Sequence, residues 1–516
     1  MYIYDCLYGK VEFGKKVIRC MLTPEIQRLR EVRLGNINSL CLTGSANINR
    51  YEHSVGTAYL ALINMQENIS NFSKEEKDVF IYAALFHDLA NGPFGHAYEY
   101  IVEKQGFIPE NSIGDVILGK MSGSHRKGVK LEPFYLGEPN EIGTVLSKKE
   151  VKAIDEIVRG DNASCSKILS DVIDIDNIDN VYRMAFHMGI PIDASIPVEL
   201  AKGIVCKNNK ILFKNQVVPY LYDWYETRSK VYALLLYNPQ DFAAKCMMAD
   251  AMDAVLEKDP SIIKWQFTDS ELIAALCNVK DEYWDDMLVP TTQEGEYNSV
   301  MLFQMLSNKS TARDALEMLG VHVPSSANIN ITANEDKVVI EFYNTEYSFT
   351  EGRLYKKIKV CMNPSRIIKR LMRGDLFACV GIYVSQEIDL YELFSDYKSR
   401  RVFEMECNQY LETTLGETEY AVAFHAIVDK NKTNRQLEIN FVSEECLTIG
   451  HNTHEILIGA FLRNANYGLA KTGGLAEPRR KRVSNAVYNF LQSKGINSYE
   501  HRLFSEVENI GQRDNR

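Results

Sequence analysis

The sequence contains no Cys-x-x-Cys pair; its eleven cysteines lie scattered between Cys6 and Cys446. An odd and dispersed set fits reduced thiols better than a disulfide framework or a cysteine zinc site. Long apolar runs are also missing. Stretches such as Tyr232–Tyr237 and Ile456–Leu462 fall far short of the roughly 20 residues a bilayer-spanning helix needs. The N-terminus carries Lys10, Lys15 and Lys16 with no uninterrupted apolar run behind them, so it has no secretory leader pattern. Basic charge is not in excess, since 58 Lys and Arg face 69 Asp and Glu for a net charge of −11. That balance excludes a generally basic nucleic-acid coat. What is present is ordinary globular composition, with 46% hydrophobic and 25% charged residues in 516 positions, enough for roughly two to four domains. These absences together predict a cytoplasmic protein with no membrane partner.

The first half reads as helical. Ser73-Lys-Glu-Glu places Glu76 three residues after an N-cap, the pattern of a capping box, and the apolar positions behind it predict a helix ending at His87-Asp88. A second helix is expected from about Ser166 to His187, with Gly189 as its stop. A third helical region spans about Tyr220 to Leu256 with a break at Pro239, and a fourth helix covers Asp269–Asn278. Beyond Asn328 the pattern turns β-rich in Lys337–Tyr343 and Tyr355–Val360. Glu419–Val428 and Gln436–Val442 then flank turn residues Asn431–Asn434 as a hairpin-like pair. Gly473-Gly474 and Pro478-Arg479-Arg480-Lys481-Arg482 read as an exposed loop. The expected fold is mainly α, an all-helical core with an extension over 1–325 and an α+β region over 326–516.

Imidazole and carboxylate ligands recur in order at His53, at His87-Asp88 and at Asp176. Such a mixed oxygen and nitrogen set suits Mn, Fe, Zn or Mg and is found in hydrolytic centres that activate water. The competing reading of one His-Asp pair is a satisfied hydrogen bond in a core. The surrounding segments weigh against that reading: Arg28-Leu29-Arg30, NRYEHSVG at 49–56, ALFHDLANGPFGH at 84–96 and IDIDNID at 173–179 occur in sequence.

This ordered string resembles the HD-domain phosphohydrolases, and within them the dGTPase-like deoxynucleoside triphosphate triphosphohydrolases. TPEIQRLR at 23–30 and the turn Asp5–Gly9, with the family's Pro and His replaced, extend the resemblance, which covers roughly residues 1–255. It implies His53, His87, Asp88 and Asp176 as ligands of a divalent metal (Mn2+, Mg2+ or Fe2+), with Asp88 also orienting the attacking water. His96 and Glu99 are implied as the catalytic pair assisting proton transfer, and Arg50, Arg228 and Arg33 as substrate contacts. Gln27 and Arg30 match a regulatory nucleotide site of some oligomeric relatives, although its acidic partner is Leu22 here. Asp179 and Arg183, four residues apart, read as a structural pair.

The resemblance therefore implies hydrolysis of deoxynucleoside triphosphates to deoxynucleoside and inorganic triphosphate, in a homo-oligomer open to a nucleotide effector. A role in lowering dNTP pools against phage follows by analogy. Departures bear on base and sugar selection. Asn177 and Asn180 stand where relatives often carry Lys and Tyr, Leu236 stands where they place a Tyr, and RLREVRLG is one residue short. They keep open an HD phosphohydrolase acting on another nucleotide, or a weakly active nucleotide-sensing subunit that docks a protein partner through the C-terminal region. His451 and His454 read as a loop, and the basic segments Arg366–Arg373 and Arg479–Arg482 as solvated faces open to a local effector.

Overall fold

The computed structural model describes residues 2–35, 48–68, 72–95, 98, 113–118, 142–162, 165–171, 173–207, 210–280, 283–291, 297–343, 345–416, 421–428, 436–450, 455–466 and 477–500. The chain opens with the hairpin β1 (Tyr2–Asp5) and β2 (Gly9–Glu12), followed by the short helices α1 (Lys15–Met21) and α2 (Pro24–Gln27). The helical body then runs through α3 (Arg50–Glu67), α4 (Lys74–Phe86), α5 (Lys148–Val158), α6 (Cys165–Leu169) and α7 (Ile175–His187). After the hairpin β3 (Ile204–Lys207) and β4 (Lys210–Phe213) come α8 (Val218–Leu236), α9 (Pro239–Lys258) and α10 (Asp269–Cys277).

Local chemistry sets these limits. Ser73 and Glu76 form the expected capping box at the start of α4, which satisfies two backbone N–H groups the helix itself cannot. Asn238 caps α9 just before Pro239, a position where proline's missing N–H costs nothing. The helix expected over Ser166–His187 is instead two, α6 and α7, because Asp174 takes an extended backbone and accepts from the Asn177 N–H. A short acidic side chain that bonds its own following backbone starts a helix better than it continues one.

The second half is mixed. Five antiparallel strands lie in the order β5-β9-β8-β7-β6, from β5 (Tyr283–Pro290), β6 (Asn330–Ala333), β7 (Lys337–Phe342), β8 (Thr345–Thr350) and β9 (Arg353–Met362). The division expected at 325/326 passes through this unit, since β5 pairs along its length with β9 and Leu302, Leu306 and Leu316 share a core with Val338 and Phe349. We propose a limit ahead of Tyr283, which keeps that sheet whole. After α11 (Pro364–Met372), a second sheet has the order β11-β14-β10-β15, from β10 (Phe377–Ser385), β11 (Val422–Val428), β14 (Ile456–Asn466) and β15 (Tyr499–Glu500). It carries α12 (Tyr397–Leu415) and α13 (Glu477–Ser493).

Two expectations fail here. β11 does not pair with the strand after the Asn431–Asn434 turn; it pairs with β14, where its apolar residues join a buried sheet. The strand after the turn, β12 (Leu437–Asn440), pairs with β13 (Cys446–Ile449), and Leu437, Ile439 and Ile449 pack into the N-terminal helical core. Arg479–Arg482 is helix rather than loop, because Pro478 falls in the first turn of α13, where proline is tolerated. His451 and His454 lie outside the described residues. No described helix is long and apolar enough to cross a membrane.

An ion network joins the halves. Asp250 of α9 accepts from Arg401 of α12 at 3.0 Å and from Arg463 of β14 at 2.8 Å, while Arg400 meets Asp253 at 2.6 Å and Glu404 takes both Arg401 and Arg463 at 2.7 Å. Burial opposes charge on Asp250, but three guanidinium groups hold its pKa well below the ordinary range. Removing one member leaves buried charge unmatched, a loss of roughly 3–5 kcal/mol. Asp250→Ala is therefore expected to lower the chemical-denaturation midpoint by that equivalent. Breaking the exposed Lys149–Glu75 pair with Lys149→Ala should leave the same midpoint nearly unchanged, because solvent already screens both charges.

Candidate metal centre

Three helix ends converge. Asn49 caps α3 by accepting from the Glu52 N–H at 2.9 Å, which places Arg50 and His53 in its first turn. His87 closes α4, and Asp88 follows in the turn. Asp176 sits in the first turn of α7 behind its Asp174 cap. The carbonyl end of α4 thus favours a cation, while the amide ends of α3 and α7 favour anions.

The tautomers are fixed by groups that only accept. His53 Nδ1 donates to Asp179 Oδ2 at 2.7 Å, and His87 Nδ1 donates to the Ala84 carbonyl at 2.8 Å. In the neutral form each ring presents a lone pair on Nε2, and the two Nε2 atoms face each other at 3.2 Å. Asp176 Oδ1 lies 2.8 Å from His53 Nε2 and 3.5 Å from His87 Nε2. Asp88 Oδ2 stands 3.9 Å from His53 Nε2 and 3.6 Å from His87 Nε2. Acceptors turned on one another need a positive charge between them. Burial opposes charge on His53, yet its hydrogen bonds to Asp176 and Asp179 lift its pKa to about 10, and His87 is raised by Asp88 and Asp176 against the same burial. The imidazoles and carboxylates fit a divalent transition ion, with outer partners that orient each ring.

Asp179 is fully buried and divides its oxygens between His53, the Tyr8 hydroxyl at 2.8 Å and the Arg183 guanidinium at 2.9 Å. A side chain at Gly56 would put its Cβ 2.1 Å from both Arg183 Nη2 and Asp179 Oδ1, so only glycine lets α3 approach α7 this closely. Gly95, at φ +52°, clears the Arg50 guanidinium in the same way, with a Cβ placed 2.2 Å from Nη2. Arg50 Nη1 meets Asp88 Oδ2 at 2.7 Å, and with the His87 and His53 imidazoles it holds the Asp88 carboxyl below the usual range against burial. Asn91 donates to Asp88 Oδ1 at 2.9 Å.

The cluster forms the floor of a cleft of about 180 Å³ walled by Leu34, Asn180, Met184, Tyr232, Leu236 and Lys245. The family model of the HD domain matches residues 50–184. The chain carries an HD domain. Among curated proteins, the deoxynucleoside triphosphate triphosphohydrolase SAMHD1 homolog of Dictyostelium discoideum is 23% identical over 265 residues, 48% of this chain and 48% of its own length. The deoxynucleoside triphosphate triphosphohydrolase SAMHD1 of Bos taurus is 26% identical over 263 residues, 44% and 43% of the two chains. The uncharacterized protein YwfO of Bacillus subtilis is 22% identical over 251 residues, 47% and 53%. The chain spans about half the length of the curated relatives it matches.

The other expected site residues fall differently around the HD floor. Arg228 is buried with its guanidinium against the Trp224 and Tyr232 rings, at 5.6 Å and 5.0 Å from their centroids, one turn behind the cleft wall. Arg33, adjoining the wall residue Leu34, directs its backbone N–H and guanidinium at Asp269. Gln27 is buried, donating to the Met21 carbonyl at 2.6 Å and accepting from Arg30 Nε at 2.8 Å, while Arg30 stacks on Tyr51 at 3.7 Å. Both ends of the Gln27 amide are thereby engaged inside the protein. His96 and Glu99 lie outside the described residues.

Sequence reasoning missed Lys245. Its ammonium is buried at the cleft wall, donates to the Leu235 carbonyl at 3.0 Å, and has its pKa lowered by burial against the pull of Asp241. The available signal was a lone cation in the small and apolar run FAAKCMM at 242–248. Asn180, noted only as a departure, presents a buried Oδ1 with no hydrogen-bond partner at the same wall. Outer partners of metal-bound histidines are each worth about 10–100-fold in metal affinity. Asp179→Asn is therefore expected to weaken manganese binding by that factor in a calorimetric titration, while the far-UV spectrum stays that of a helical fold.

Proposed function

We propose that this chain is a metal-dependent deoxynucleoside triphosphate triphosphohydrolase that releases deoxynucleoside and intact inorganic triphosphate. The observation that carries the reading is the convergence of His53, His87, Asp88 and Asp176 at the floor of a cleft whose wall holds Arg50 and Lys245. The activity in the names of the Dictyostelium and bovine relatives supports it. His53, His87, Asp88 and Asp176 would hold a divalent ion, Mn2+, Mg2+ or Fe2+, which when bound would supply Lewis-acid activation of water and of the phosphoryl group. Asp88, fixed by Arg50 and Asn91, orients that water as its acceptor. Arg50 meets phosphate charge bidentately, and the amide end of α7 adds to that field. Arg228 acts from behind by fixing Tyr232, and His96 with Glu99 passes the proton to the 5′-oxygen. The enzyme works as a homo-oligomer and lowers cellular dNTP pools.

A second reading rests on the wall. Leu236 and the unpartnered Asn180 oxygen give a sugar and base side unlike that implied by the resemblance, which suits an HD phosphohydrolase with another nucleotide substrate. Products separate the two. Incubation with Mn2+ or Mg2+ and each dNTP or NTP, resolved by ion exchange, is expected to yield tripolyphosphate from the deoxy forms. No turnover of any dNTP would instead favour the second reading. Asp176→Ala should lower kcat/KM about a thousandfold, the loss of roughly 4 kcal/mol of transition-state stabilisation. Lys245→Met, which removes a binding cation without touching the metal set, is expected to raise KM about tenfold with kcat nearly unchanged, as read from steady-state kinetics.

A further inference from the structure

Behind the HD floor, on the far side of Arg183, Cys6 in the β1–β2 turn meets Glu52 of α3 and His187 of α7. Cys6 Sγ lies 2.5 Å from Glu52 Oε1 and 3.5 Å from His187 Nε2, and His187 Nε2 lies 2.9 Å from the same Glu52 oxygen. Arg183 Nη1 also reaches Glu52 Oε1, at 3.0 Å. Three donors would then converge on one carboxylate oxygen, which offers about two lone-pair directions. Two of those donors, a thiol and an imidazole, are metal ligands once the proton is gone.

Charge leads to the same place. Arg183 is fully buried among Asp5 at 3.1 Å, Asp179 at 2.9 Å and Glu52 at 3.0 Å, three carboxylates around one guanidinium. A divalent cation at Glu52 offsets the excess. Thiolate, imidazole and carboxylate together select zinc-like ions over magnesium or calcium, and three protein ligands with an exposed Cys6 leave one position to water.

We infer that Cys6, Glu52 and His187 form a second metal site for a thiolate-accepting divalent ion such as zinc, distinct from the HD set and independent of the reaction proposed above. The ion takes the place of the Cys6 proton, which leaves to solvent, and His187 binds through Nε2 with its proton on Nδ1. Its role is mechanical: it ties the N-terminal hairpin to the two helices that carry His53 and Asp176, through the residue adjoining His53 and the last residue of α7.

Cobalt(II) is the probe, because the HD set contains no sulfur and only a thiolate ligand gives an intense near-ultraviolet charge-transfer band. The full chain titrated with cobalt should bind two equivalents and show that band. Cys6→Ser and His187→Gln should each bind one, lose the band and keep the helical far-UV spectrum. Asp176→Ala should lose the other equivalent and keep the band. A wild-type protein without the band, or a band that persists in Cys6→Ser, overturns the site.

Discussion

The Asp179 carboxylate is the constraint on which the helical half depends. It is an anion without solvent exposure, and an isolated buried charge of that kind is not tolerated. Its neighbours supply what it needs: Arg183 one turn later, the Tyr8 hydroxyl from the N-terminal hairpin and His53 Nδ1 from α3. Satisfying one anion therefore fixes two elements, the N-terminal hairpin and α3, relative to α7. It also sets the proton of His53 on the outer nitrogen and turns the lone pair inward. The glycine at position 56 is the steric counterpart of the same requirement, since the helices must come close enough for the guanidinium to lie across α3.

From that node the floor follows by helix geometry. The N-terminal turns of α3 and α7 and the last turn of α4 each expose unsatisfied backbone groups, so ligands placed there gain field as well as reach. Arg50 and Asp88 then balance each other inside the cleft, leaving an acceptor that is ionised and held in one direction. A different kind of order governs the second half, where Asp250, Asp253, Glu404 and three arginines form one largely buried set of ions. Neither cluster is a surface decoration; each is a place where several distant segments must agree before any of them is stable.

The parts legible in sequence were those decided locally or carried by an ordered motif. The α4 capping box needs only Ser73 and Glu76, and the metal set announces itself as His, His-Asp and Asp in sequence. The break between α6 and α7 was hidden because the apolar spacing runs on while Asp174 turns the backbone. Strand partners were misread for a topological reason: β11 finds its neighbour in β14, beyond an intervening hairpin that belongs to another core. Lys245 was illegible because α9 is buried nearly all round, so no helical face marks which residue meets the cleft. The Cys6, Glu52 and His187 grouping spans 181 positions, and nothing in the intervening chain signals that its ends meet.

The burial of α9 also bears on the order in which the molecule comes together. One side of this helix supplies Lys245 to the cleft wall, and the other is covered by β10, β11 and β14. Those strands are made about 120 to 200 residues after the helix. A segment with no solvent face cannot settle until its last cover arrives, and closing loops of that length is slow compared with forming the helix itself. During synthesis the HD helices emerge first with one wall of their cleft still unbacked. The finished pocket is thus among the late products of folding, although most of its chemistry is written near the beginning of the chain.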